Sequence, residues 1–91
     1  MSSVAERVEE IQSAIAQLRS AAIRDDDPRR SQSAERLELQ FTGITSSQEL
    51  RSAARDALRL FAGGMGSFQD AGTSEVDSAI TRLSRALRQA I

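Results

Sequence analysis

The sequence predicts an all-α fold, a compact four-helix bundle with a Gly-rich loop between helices three and four. Three observations predict it. Apolar residues recur at alternating steps of four and three, which keeps one face of a helix apolar over several turns. No segment shows the two-residue alternation of a half-buried strand. Helix start and stop signals divide the chain into four segments. With 91 residues the chain fits one core, so residues 1–91 read as a single helical domain.

The first helix is expected from about Ser3 to Arg24, with Val4, Val8, Ile11, Ile15, Leu18 and Ala22 on its inner face. This strict spacing is the seam pattern of helical bundles. Glu6, Glu9 and Glu10 lie early in the helix, near the positive end of its dipole. Asp25-Asp26-Asp27-Pro28 ends it, because a proline disfavours helical geometry in the residue before it. Pro28 also suits the first position of a new helix, with Asp27 as its N-cap. The second helix is therefore expected from Pro28 to about Thr42, facing inward with Ala34, Leu37 and Phe41 and followed by Gly43 as a C-terminal cap. Ser46-Ser47-Gln48-Glu49 forms a capping box for the third helix, whose inner set is Leu50, Ala54, Ala57, Leu58 and Phe61. That helix is expected to stop at Gly63-Gly64. Residues 63–73 form the only long irregular stretch. The fourth helix starts at Thr73 or Ser74 and faces inward with Val76, Ile80, Leu83, Leu87 and Ala90. The large core residues predicted from these phases are Val8, Ile11, Ile15, Leu18, Leu37, Phe41, Leu50, Leu58, Phe61, Ile80, Leu83 and Leu87.

Composition excludes several functions. Aromatic residues are confined to Phe41, Phe61 and Phe68, so the core is built from Ala, Leu, Ile and Val and is thin. Cys and His are both absent. That removes disulfides, thiol chemistry, the usual general base and the commonest transition-metal ligand. Glu6, Glu9, Glu10, Glu35 and Glu38 do not make a di-metal site, since such bundles pair glutamate with histidine. Hydroxyl groups are plentiful but have no base to activate them. No enzyme activity and no cofactor are expected. All twelve basic residues are arginine, and the net charge of -1 supplies no bulk field toward nucleic acid or anionic lipid. There is no membrane-spanning run and no signal-peptide pattern, so the cytoplasm is the expected compartment.

Gly63-Gly64-Met65-Gly66-Ser67-Phe68-Gln69-Asp70 is the most distinctive segment. Its glycines permit positive backbone dihedrals or close approach of another chain, Met65 and Phe68 can cover the end of the bundle, and Ser67 or Asp70 can cap free amides. The segment resembles the signature of a family of small bacterial proteins of unknown function. There, Gly-Gly-Met-Gly-Ser follows an amphipathic helix and precedes an apolar residue, a variable one and Asp. Gln69 stands where that family commonly has Asn. The resemblance implies homology but no particular activity. A phosphate-binding role is disfavoured, because the chain lacks the Gly-Lys-Ser/Thr ending of a P-loop.

Arg51, Arg55 and Arg59 follow one another at four-residue steps on the outer side of helix three, and Arg82, Arg85 and Arg88 form a second stripe on helix four. Such rows bind phosphates or acidic protein faces, or are solvated faces with local acid pairs. Leu39 to Ser46 followed by an arginine-bearing helix is also the pattern of a helix-turn-helix. Leu39 itself falls opposite the inner set of helix two. The expected function is a bacterial protein-binding module that acts by occupying a partner, in its most concrete form an immunity protein or antitoxin that blocks a cognate toxin. The expected contact residues are Leu39, Gly64, Met65, Gly66, Ser67, Phe68, Asp70, Arg51, Arg55 and Arg59. The alternatives are a helix-turn-helix DNA-binding regulator and a self-assembling structural bundle. The partner is then another protein or a second copy of the chain.

Overall fold

The computed structural model describes residues 3–63 and 74–91. Four helices run in order: α1 over Val4–Arg24, α2 over Pro28–Gln40, α3 over Ser47–Gly63 and α4 over Ser74–Gln89. No strand occurs among the described residues.

The ends of α1 and α2 and the start of α3 have local chemical causes. Ser3 caps α1 by accepting the Glu6 amide on its Oγ at 3.2 Å. At the other end Asp26 takes a left-handed backbone with φ 54°. The Asp26 amide donates to Ile23 O (3.1 Å) and the Asp27 amide to Ala22 O (2.9 Å). This is a Schellman ending with aspartate in the position glycine usually fills. Pro28 then opens α2 as its first residue, and Asp27 Oδ1 accepts the Arg30 amide. The sequence placed the end of this helix near Thr42, but it ends at Gln40. The Phe41 amide is shared between Leu37 O (3.3 Å) and Glu38 O (3.2 Å) and the Thr42 amide donates to Leu39 O (3.3 Å), so the last turn tightens toward three-residue bonds. Gly43, at φ 78°, then redirects the chain. The capping box of α3 is present in its forward half, with the Glu49 amide donating to Ser46 Oγ at 3.2 Å. The Glu49 carboxylate accepts from the hydroxyls of Ser46 and Thr45. Residues 64–73, which include the predicted Gly-rich loop and Thr73, lie outside the described residues.

α1 is the hub of the bundle. It packs most extensively against α4 and α2, while α3 packs on α4 and more lightly on α1. Both main pairs are antiparallel. Toward α4, Arg7 donates to the Gln89 carbonyl, Arg82 reaches Ser13 and Gln17, and Arg24 pairs with Glu75. Toward α2, Gln12 Nε2 donates to Phe41 O at 2.9 Å and Arg19 bridges Glu35 and Glu38. α2 and α3 meet only marginally.

The core follows the predicted phases. Ile11, Ile15, Leu18, Leu37, Phe41, Leu50, Leu83 and Leu87 are buried, and Val76 joins them. Val8, Leu58 and Ile80 are partly buried and pack against this cluster. The Phe61 side chain lies outside the described residues. Between the large groups sit Ala14, Ala21, Ala34, Ala54, Ala57, Ala79, Ala86 and Ala90. Small residues let helix axes approach closely, and this is how a chain poor in aromatic residues closes its interior.

Two buried polar residues of α2, Ser33 and Arg30, were not anticipated. Arg30 is 7% exposed, and its guanidinium meets Asp27 Oδ2 at 2.7 Å. The phase of α2 contains it, since Arg30, Ala34, Leu37 and Phe41 step by four, three and four. Its charge disguised its position. Ile23 and Leu39, both large and apolar, are instead exposed.

Candidate functional site

The structure divides the predicted contact residues among separate surfaces. Leu39 projects from α2 at 73% exposure, on the side opposite Ala34, Leu37 and Phe41 as its phase requires. It is the most exposed large apolar side chain among the described residues. Arg51, Arg55 and Arg59 are all exposed on α3. Gly64, Met65, Gly66, Ser67, Phe68 and Asp70 lie outside the described residues, as does any contact they make.

α3 presents two different flanks. Glu49, Ser52, Ala53 and Asp56 share an open groove of about 530 Å³ with Gln40, Thr42 and Ile44 from the α2 corner. At 100° per residue, Arg51 and Arg55 fall on the opposite flank, toward α4. The helix thus separates an acidic edge beside α2 from a basic edge beside α4. Leu39 belongs to the α2 side, so it and the Arg51–Arg55 edge do not form one continuous site.

The two predicted arginine rows do not survive as uniform stripes. Arg59 leans toward Asp56 at 3.9 Å, with its side chain 82% exposed. Arg82 turns to α1, donating from Nη1 to Gln17 Oε1 (2.8 Å) and from Nη2 to Ser13 Oγ (3.2 Å). A three-residue step rotates 300°, so Arg82, Arg85 and Arg88 drift around α4 instead of aligning. Arg85 and Arg88 remain exposed, and line a shallow groove of about 480 Å³ with Ile80, Thr81, Ser84 and Gln89.

The arginines accordingly fall into two groups. Arg7, Arg19, Arg24, Arg30, Arg59 and Arg82 each bond a carbonyl, an amide, a hydroxyl or a carboxylate of the chain. Arg29, Arg36, Arg51, Arg55, Arg85 and Arg88 are exposed and form no ion pair among the described residues. Sequence spacing identified candidate rows, but only tertiary packing could tell an engaged guanidinium from a free one. Among the acids, Glu35 and Glu38 are occupied with Arg19, and Glu6, Glu9 and Glu10 lie exposed on the first half of α1. Among the described residues no helix is long and apolar enough to cross a membrane.

No family model, no curated protein and no solved structure matches the chain.

Proposed function

We propose that the chain is a non-enzymatic, cytoplasmic protein-binding module that acts by occupying the surface of a partner protein. Its most concrete form is a bacterial immunity protein or antitoxin whose partner is a cognate toxin. The observation that carries the reading is Leu39, exposed at 73% on the outer face of α2 in a chain with few large apolar residues to spare. A single exposed leucine is ordinary on a protein surface. Here it coincides with a core in which alanine fills many of the buried positions. The flanking Glu35, Arg36 and Gln40 supply a polar rim around an apolar centre, the usual composition of a binding patch. The resemblance of Gly63-Gly64-Met65-Gly66-Ser67 to a family of small bacterial proteins supports the bacterial setting.

The helix-turn-helix alternative is supported by Arg51 and Arg55 on α3. Against it, a helix-turn-helix packs its two helices together across a turn of three or four residues. In this fold α2 and α3 meet only marginally, and residues 41–46 separate them.

The decisive experiment is affinity capture from the native host with the parent chain and with Leu39→Arg. A defined protein captured by the parent and lost with the variant supports the reading, provided that the variant keeps its helicity. If the parent instead binds a specific duplex tightly, with affinity falling steeply as salt rises and lost in Arg51→Ala, the protein is a DNA-binding regulator.

A further inference from the structure

The engaged and free arginines differ in where they point. Those engaged by other helices tie α1 to α2 and to α4. Arg51, Arg55, Arg85 and Arg88 occupy the outer face of α3 and α4, and none of them has a carboxylate within ion-pair distance among the described residues. Phase and topology bring these four to one side. α2 ends beside Gln12 of α1, so α3 begins at the end of the bundle where α1 begins. α4 finishes at that same end, where Arg7 holds the Gln89 carbonyl. The first turns of α3 therefore lie alongside the last turns of α4, and the two helices pack together. Arg51 and Arg55 then stand across the α3–α4 seam from the Arg85–Arg88 groove. That groove is also lined by Ile80, half-buried against the core, and by Ser84 and Gln89.

We propose that this face is a docking surface for a carboxylate-rich segment of another protein, with the Arg85–Arg88 groove at its centre. The chemistry fits that class. Guanidinium is planar, stays charged and offers paired donors that match a carboxylate, and it is less strongly hydrated than an ammonium. The exposed part of Ile80 accepts an apolar side chain between the charges. An acidic amphipathic segment satisfies both. A long phosphate backbone does not, because α4 begins with Glu75 and Asp77 and α1 carries Glu6, Glu9 and Glu10. A polyanion that ran beyond the four arginines would meet these acids. The surface is separate from Leu39 and does not rest on the role given to that residue.

The test uses the full chain and a fluorescently labelled synthetic helical peptide with glutamates on one face and leucines on the other. Binding is followed by anisotropy at about 0.15 M salt, where long-range attraction is largely screened. The double variant Arg85→Glu/Arg88→Glu should weaken binding by about tenfold or more, with helicity retained. Arg29→Glu/Arg36→Glu, which makes the same change of net charge on α2, should weaken it by less than about twofold. Leu39→Arg should leave the peptide affinity unchanged while abolishing capture of the native partner, so the two surfaces are judged separately. Three results would overturn the proposal: no saturable binding of the peptide, equal weakening by both double variants, or a random-sequence DNA duplex that binds more tightly than the peptide.

Discussion

At the scale of single residues, Asp27 and Arg30 show how one side chain serves two structural ends. Asp27 caps α2 through Oδ1 and meets the buried Arg30 guanidinium through Oδ2 at 2.7 Å. An N-cap contributes about 1 kcal/mol, and removing the carboxylate beside a buried charge costs more than that. Asp27→Ala should therefore destabilise the fold by about 2–4 kcal/mol. Asp27→Asn keeps a capping oxygen and loses the charge, so its cost should be intermediate. Urea denaturation of both variants checks the order: equal costs would mean that the capping oxygen contributes nothing, and an Asp27→Asn without cost would mean that the ion pair contributes nothing. Leu39 lies at the opposite extreme. With its side chain in water, Leu39→Arg should change the unfolding free energy by less than about 0.5 kcal/mol. A large loss of stability in that variant would place Leu39 in the core and refute its assignment to the surface.

Among the elements, Gly43 gives the clearest case of a backbone requirement without a packing one. Its φ of 78° lies in the left-handed region, and a Cβ placed there would meet nothing within 4 Å. Gly43→Ala should thus cost only the backbone penalty, about 1–2 kcal/mol. Gly43→Asn should cost less, because asparagine tolerates that conformation. A loss well above the backbone penalty in chemical denaturation would reveal a steric role for this corner. The helix boundaries were largely legible in the sequence because caps are local chemistry. Asp27-Pro28 and Ser46-x-x-Glu49 act within one turn of where they stand. The left-handed Asp26 was not legible, since Asp25, Asp26 and Asp27 offer the same side chain and only the hydrogen bonds to Ala22 and Ile23 select among them. The inward faces were legible from the four-three spacing. The fate of each arginine was not: Arg30 is buried and Arg82 is committed to α1, whereas Arg85 and Arg88 form no ion pair among the described residues. Those outcomes depend on the neighbouring helices, which spacing along one helix does not encode.

For the whole molecule, the core has little volume in reserve. Among the described residues the largest fully buried side chains are one phenylalanine with a handful of Ile, Leu and Val residues, and alanine fills the space between them. Alanine brings the helices close but has no rotamer with which to refill a void, so a deletion leaves a cavity. Leu83 tests this most directly. It is fully buried on α4, the helix that packs most extensively on α1, and Ala79 and Ala86 lie one turn to either side. Leu83→Ala should fall in the upper part of the range for such truncations, about 3–5 kcal/mol. A domain of this size has about 5–15 kcal/mol of stability in all. Each kcal/mol shifts its melting temperature by about 4–8 °C, so a drop of at least about 12 °C is expected. Leu58, only partly buried on α3, provides the internal comparison. Leu58→Ala should cost about half as much or less, because part of that side chain already lies in water. Thermal unfolding followed by circular dichroism measures both variants under the same conditions. If the two lose the same stability, the core is not centred on the α1–α4 seam. If Leu83→Ala loses almost none, helix α4 does not pack on α1 in the register that Arg82 and Glu75 define.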